Sequence, residues 1–121
     1  MSLWYFEKDA ELETVSNLDL DKRLKELLQL NEPGTFSVIL HNDPVNRVDF
    51  VVGVIKSVFS YRTGKAVWLM LKAHINGKSA LWSGSYKQAE QKMNQMVAFG
   101  PDPNMLDRGA EPLNVSVEKN D

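Results

Sequence analysis

The chain has 121 residues, a length typical of one domain. Hydrophobic residues make up 43% and charged residues 25% of the sequence, proportions that are ordinary for a globular protein. The formal net charge is −2 and basic residues are spread among acidic ones, so no basic face supports nucleic-acid binding. The lack of cysteine excludes disulfides, thiolate zinc sites and cysteine nucleophiles, and it suits a reducing compartment.

The sequence also argues against a membrane protein. No apolar run approaches the roughly 20 residues that a spanning helix needs. The N-terminal stretch "MSLWYFEKDAELE" carries acids early and has no apolar core of the kind found in signal peptides. We therefore expect a cytoplasmic protein.

The first 34 residues predict an N-terminal extension. Residues 1–17 are mixed and acidic with no sustained period, so we expect a flexible arm, although residues 3–6 form an aromatic patch. A stripe of leucines then predicts a helix near residues 19–30, which Pro33 ends. The stripe consists of Leu20, Leu24, Leu27 and Leu28. The domain itself is expected over residues 35–119.

The domain begins with a predicted strand and helix. In "TFSVILH" apolar residues alternate and β-branched residues are frequent, which predicts a strand. The segment "NRVDFVVGVIKSVFSY" has helical spacing of apolar residues, and Asn46 followed by Asp49 resembles a capping box. Its length and this cap favour a helix over a second strand.

The remaining segments complete an α+β pattern. In "TGKAVWLMLKAHINGK", Thr63 is a possible N-cap, Gly77 suits a left-handed helix end, and a buried stripe is expected from Ala66, Leu69, Met70 and Ala73. A short strand "SALWS" precedes the helix "SYKQAEQKMNQMVAFG", whose inward residues are expected to be Ala89, Met93, Met96 and Val97. The loop "PDPNMLDRGAEP" leads to a last strand, "LNVSVE". The order β-α-α-β-α-β predicts a small three-stranded antiparallel sheet with three helices on one side.

Two places could carry chemistry: the turn "HNDP" at the first strand end, and His74 near a helix C-terminus. Asn, Asp and Pro each favour turns, and His74 could simply bond locally, so both have an ordinary structural explanation. A metal site from His41, Asp43 and His74 has weak support from spacing. A serine hydrolase is disfavoured because "SGS" at residues 83–85 lacks the G-x-S-x-G pattern.

Four segments together resemble the ClpS family, adaptors that deliver N-degron substrates to a Clp-type AAA+ protease. They are "VILHNDPVNRVDFVVGVIKSVFSY", "AVWLMLKAHINGKS", "AEQKM" and "EPLNVSVEK", and the resemblance runs from about Phe36 to Lys119. It implies a non-enzymatic adaptor without metal or cofactor. Its partners would be hydrophobic N-terminal residues of substrates and the N-terminal domain of a Clp-type AAA+ unfoldase.

The resemblance also implies residue roles. The substrate α-amine would be bound by Asn42, Asp43 and His74. The first side chain would enter a pocket formed by Asn46, Val48, Val51, Met70, Ala73 and Leu113. The unfoldase would contact Glu90 and Lys92, for which a solvated helix face is the ordinary alternative.

The chain departs from the family pattern at five positions. Pro44 stands where a second acid is usual, Asn46 where a threonine is common, and Arg47 where a proline often follows. Val48 replaces the methionine at the pocket mouth and is stiffer at χ1, and Trp82 replaces a small residue. The alternative function is therefore a ClpS-like interaction domain with altered or lost N-degron specificity, which regulates a Clp ATPase or binds another protein.

Overall fold

The computed structural model describes residues 34–120, together with Lys22 and Leu24. The elements in residues 34–120 are β1 (Phe36–His41), α1 (Val48–Phe59), α2 (Thr63–Asn76), β2 (Lys78–Gly84), α3 (Tyr86–Val97), a 3₁₀ helix (Pro103–Arg108) and β3 (Val115–Lys119). The predicted order β-α-α-β-α-β is confirmed, and the 3₁₀ helix lies where only a loop was expected. Lys22 and Leu24 are helical, whereas the rest of the predicted helix near residues 19–30 and the flexible arm lie outside the described residues.

The sheet is antiparallel with the strand order β2-β1-β3. Its register changes between Val38, which pairs with Trp82, and Ile39, which pairs with Ala80. Leu81 is therefore an extra residue on β2, as in a β-bulge. Because β1 is the central strand, the turn that follows His41 lies at one end of the sheet, between the ends of β2 and β3.

The core lies between the sheet and the three helices. Phe36, Val38 and Leu40 alternate along β1 and are nearly inaccessible to solvent, as expected for one face of a strand. The predicted apolar stripe of α2 is confirmed, since Ala66, Leu69, Met70 and Ala73 are all buried. The opposing buried side chains of α1 and α3 are Val51, Val52, Val54, Ile55, Val58, Phe59, Ala89 and Met96.

Three local predictions about the helices are wrong. The helix α1 begins at Val48 after Arg47, with no side-chain cap, because Asn46 uses its side chain elsewhere. Thr63 lies inside α2, whose N-cap residue is Arg62. Val97, the last residue of α3, is 39% exposed instead of inward.

Two glycines are required by the backbone or by packing. Gly77 ends α2 in the predicted left-handed conformation, with φ of 91° and its N–H donating to Ala73 O at 2.9 Å. Gly84 lies under the ring of Trp82, where any Cβ would overlap the indole. Trp82 is half-buried against the core and lines neither of the two cavities beside the turn after β1.

Candidate functional site

The turn after β1 is fixed by its own aspartate. Asp43 Oδ1 accepts hydrogen bonds from the backbone N–H groups of Val45 at 2.9 Å and Asn46 at 2.8 Å. Asp43 Oδ2 accepts a further bond from Asn46 Nδ2. The Asn42 N–H donates to Gly77 O at 2.9 Å, which joins the turn to the end of α2. The sequence therefore builds a rigid turn in which the Asp43 carboxylate is largely used by the protein itself.

Asn46 connects this turn to the chain between α3 and β3. The residue is 6% exposed. Its Oδ1 accepts from the Asp102 N–H at 2.8 Å, and its Nδ2 donates to Glu111 O at 2.7 Å as well as to Asp43. The Asn46 side chain thus uses its acceptor and both of its donors. A buried amide needs such partners, because an unpaired polar group is costly away from water.

Asp102 and Arg47 form the second connection. Asp102 is 1% exposed, and its Oδ1 accepts from the Asn104 N–H at 2.9 Å. Burial alone raises the pKa of Asp102, but hydrogen bonds from Asn104 and Arg47, with the charge of Arg47, hold that pKa below its ordinary value. In turn, the hydrogen bond to Asp102 and the negative charge of Asp102 raise the pKa of Arg47. The carboxylate is therefore ionised within the fold at neutral pH.

A narrow cavity of about 30 Å³ lies beside the turn, between α1 and α2. Cavity space of this size holds one or two water molecules. Val48, at 56% exposure, stands at its opening, whereas Val51, Met70 and Ala73 are buried deeper. The complete lining is Leu40, His41, Asn42, Asp43, Asn46, Val48, Val51, Met70, Ala73 and His74.

Two polar side chains of this lining are available to a ligand. Asn42 and His74 are exposed, and among the described residues neither side chain has a hydrogen-bond partner. His41, by contrast, bonds Ser116 Oγ through Nε2 at 2.8 Å. Within residues 34–120 no three His, Asp or Glu side chains form a group that could hold a metal. The available groups are an amide and an imidazole at the mouth of an apolar cavity.

The structure brings together most of the residues that the sequence singled out. Asn42, Asp43 and His74 meet at the cavity, and so do the predicted pocket residues Asn46, Val48, Val51, Met70 and Ala73. Leu113 is not among the residues that line this cavity, and its side chain is buried in the core. Sequence reasoning missed the contacts of Arg47 and Asp102, for which no short-range spacing gives a signal.

A second and larger cavity, of about 230 Å³, shares a wall with the first. Its lining includes Asn42 and Asp43, which also line the narrow cavity. The other lining residues are Pro44, Val45, Gly109, Glu111, Pro112 and Asn114. The turn after β1 therefore separates two adjoining cavities.

The two residues predicted to contact an unfoldase differ in their surroundings on α3. Lys92 Nζ donates to Val58 O at 3.1 Å and lies 5.8 Å from the Phe59 ring centroid. This ammonium therefore supports the C-terminal end of α1. Glu90 is half-buried and has no hydrogen bond or ion pair with another described residue.

Comparisons with family models and with known proteins identify the same family. The family model for the ATP-dependent Clp protease adaptor protein ClpS matches residues 31–115. The ClpS adapter protein of Pectobacterium carotovorum is 39% identical over 103 residues, which cover 85% of this chain and 89% of that protein. The ClpS adapter protein of Streptomyces coelicolor is 35% identical over 77 residues, which cover 63% of this chain and 80% of that protein.

A solved structure shares the fold. Agrobacterium tumefaciens ClpS2, bound to L-phenylalaninamide, superposes with a TM-score of 0.63 at 26% identity. The match covers 74% of this chain and 100% of the ClpS2 chain. In the part of the chain that the structure describes, no helix has the length and apolar character to cross a membrane.

Proposed function

Because the chain belongs to the ClpS family of Clp protease adaptors, we propose that it binds the hydrophobic N-terminal residues of substrates and delivers them to a Clp-type AAA+ unfoldase. The observation that carries this proposal is the pair of exposed side chains, Asn42 and His74, which have no hydrogen-bond partner among the described residues and lie beside a partly apolar cavity. The ClpS2 relative was solved with L-phenylalaninamide, a small molecule with a free α-amine and an apolar side chain. That ligand has both features that the site is proposed to read.

The α-amine is the first feature. An α-ammonium group is a cation with three donors, so its binding site needs acceptors. Asn42 would offer its side-chain carbonyl, and a neutral ring nitrogen of His74 would accept a second bond. Hydrogen bonds to charged groups contribute about 1.5–3 kcal/mol each. Asp43 supports the site by fixing the turn and by adding negative charge nearby. An acetylated or internal residue lacks the cation and leaves these acceptors unpaired.

The first side chain of the substrate is the second feature. It would enter the cavity between Val48, Val51, Met70 and Ala73. Burying a Leu or Phe side chain contributes roughly 1.5–3 kcal/mol. Because the cavity measures about 30 Å³, a side chain must displace part of its lining to enter. Met70 is suited to this, since methionine is unbranched and has three rotatable bonds. We propose that Leu113 supports this wall from the core instead of contacting the ligand.

The site supports binding without bond chemistry. We propose that the chain has no catalytic activity and no cofactor and that it presents a substrate to another protein, as is expected of a member of the ClpS adaptor family. The surface of α3 that carries Glu90 and Lys92 is proposed to contact the N-terminal domain of the unfoldase.

The test is fluorescence anisotropy of labelled peptides that differ only in their first residue. The series contains Leu, Phe, Trp, Ile and Ala, with acetylated Leu as the control for the amine. The proposal predicts tight binding of at least Leu or Phe and loss of binding on acetylation. Failure of every free N-terminus to bind would contradict it.

The small cavity volume favours a second candidate function. In this alternative the chain is a ClpS-like interaction domain whose pocket has lost N-degron binding. Trp82 and Pro44 are departures from the family pattern that suggest this alternative function. Trp82, however, does not line either cavity. Binding of a Clp N-terminal domain without binding of any peptide in the series would support the alternative.

A further inference from the structure

The second cavity adjoins the proposed amine site and has a different character. Asn42 and Asp43 form a wall common to both cavities. The volume of the second cavity is about 230 Å³, against about 30 Å³ for the first. Its lining is partly apolar, through Pro44, Val45 and Pro112, and it includes an acid that does not line the first cavity, Glu111.

We propose that this cavity is a subsite for the second residue of a bound substrate and that Glu111 makes it prefer lysine or arginine there. The inference rests on the proposed function, since it takes the α-amine to lie at Asn42 and His74. In an extended chain successive side chains point to opposite sides, and each residue advances about 3.3 Å. When the first side chain enters the narrow cavity, the second therefore points across the shared wall.

The charges around the subsite favour a cation. The residues that line it include two carboxylates, Asp43 and Glu111, and no Lys or Arg. Asp43 already accepts three hydrogen bonds from its own turn. The Glu111 side chain is exposed and has no partner among the described residues, whereas its backbone carbonyl is held by Asn46 Nδ2 at 2.7 Å. A free carboxylate is thus carried on a fixed segment of backbone.

The apolar part of the lining suits the same side chains. Lys and Arg bury their methylene stems along apolar surface while their charged ends stay in water. Pro44, Val45 and Pro112 would contact such a stem, and Glu111 would lie near its end. An aspartate or glutamate at position two would instead place like charges together in the subsite.

The experiment compares three labelled peptides that share leucine at position one and carry lysine, alanine or glutamate at position two. Exposed ion pairs are weak, so we expect the lysine peptide to bind about two- to fivefold more tightly than the alanine peptide. The glutamate peptide should bind more weakly than both. Raising the salt concentration should reduce these differences, because exposed charges are screened.

Glu111→Gln is the test variant, and Glu118→Gln is its matched control. Both replacements remove one carboxylate, but Glu118 is half-buried on β3 and pairs with Lys78 at 3.5 Å, outside both cavities. We expect Glu111→Gln to bring the three affinities together and Glu118→Gln to preserve their ranking.

Two results would overturn the subsite. The first is an equal loss of affinity for all three peptides in Glu111→Gln, which would mean that Glu111 acts on the amine. The second is that the unaltered protein binds peptides with a free amine but has the same affinity for all three residues at position two. That result would leave the proposed function intact. If no free N-terminus binds at all, the proposed function fails and the subsite fails with it.

Discussion

Asp102 accepts hydrogen bonds from both the backbone N–H and the side-chain Nε of Arg47, at 3.2 and 3.1 Å, across 55 residues of sequence. Arg47 immediately precedes α1 and follows Asn46, whose Oδ1 accepts the Asp102 N–H. The buried carboxylate therefore fixes the start of α1 and the end of the turn at once. That turn carries Asn42, so the proposed amine site depends on a contact with a distant loop.

Asp102→Asn should lower the free energy of unfolding at neutral pH, because an amide accepts with only one of its two polar atoms. The folded pKa of Asp102 lies below its ordinary value of 3.8, so its ionisation stabilises the fold above about pH 4. This contribution is lost as pH falls through the lowered folded pKa. Urea unfolding at pH 7 and at pH 3 should therefore show a larger difference between the two proteins at pH 7. An equal difference at both pH values would contradict this role.

Arg47→Ala should destabilise the protein more than Arg62→Ala does. Each arginine is the N-cap residue of a helix with nearly the same backbone, φ −72° and ψ 152° at Arg47 against φ −70° and ψ 158° at Arg62. Only Arg47 has a carboxylate partner among the described residues. Urea midpoints of the two variants measure the effect of that partner directly. Equal midpoints would show that the Asp102 contact adds nothing to stability.

Met70→Ala should shift the preference for the first substrate residue toward larger side chains. Removing the methionine enlarges the narrow cavity, so the ratio of Trp-peptide to Leu-peptide affinity should rise. The control is Met96→Ala, since Met96 is fully buried in α3 but does not line the cavity. Both variants should lose about 2–5 kcal/mol of stability, the usual cost of such a truncation. An affinity ratio that changes equally in both variants would mean that Met70 does not select the side chain.

Glu90→Ala and Lys92→Ala should separate partner binding from stability. Lys92 supports the end of α1, so its removal should cost about 0.3–1 kcal/mol in urea unfolding. Glu90 has no such contact within residues 34–120, so its removal should leave stability unchanged and weaken binding of a Clp-type unfoldase N-terminal domain. Calorimetric titration with that domain checks the second effect. Unchanged binding in both variants would remove α3 from the proposed interface.

Local patterns in the sequence predicted much of the fold. The spacing of Ala66, Leu69, Met70 and Ala73 was enough to place α2 and its buried face, because helical periodicity is a local property. The turn at residues 42–44 and the left-handed helix end at Gly77 were likewise predicted from the conformational preferences of those residues. The resemblance to ClpS then placed Asn42 and His74 in one site, which spacing alone does not do.

The errors came from contacts between distant segments. Asn46 looked like a helix cap because Asp49 follows at the right interval, but its side chain bonds Asp102, Asp43 and Glu111 instead. No local rule distinguishes these uses of an asparagine. Leu113 was expected in the pocket, and the structure places it in the core, outside the residues that line the cavity. A local sequence pattern therefore does not predict which distant residue a single polar side chain will contact.

The proposed amine site is tested most directly by the effect of His74→Ala on binding of a Leu peptide and of its acetylated form. Asn76→Ala is the control, since Asn76 is exposed at the end of the same helix but does not line the cavity. We expect the unaltered protein and Asn76→Ala to bind only the free Leu peptide, and His74→Ala to lose this binding while its circular dichroism spectrum is unchanged. Undiminished binding of the free peptide by a folded His74→Ala protein would contradict the assignment of the amine site.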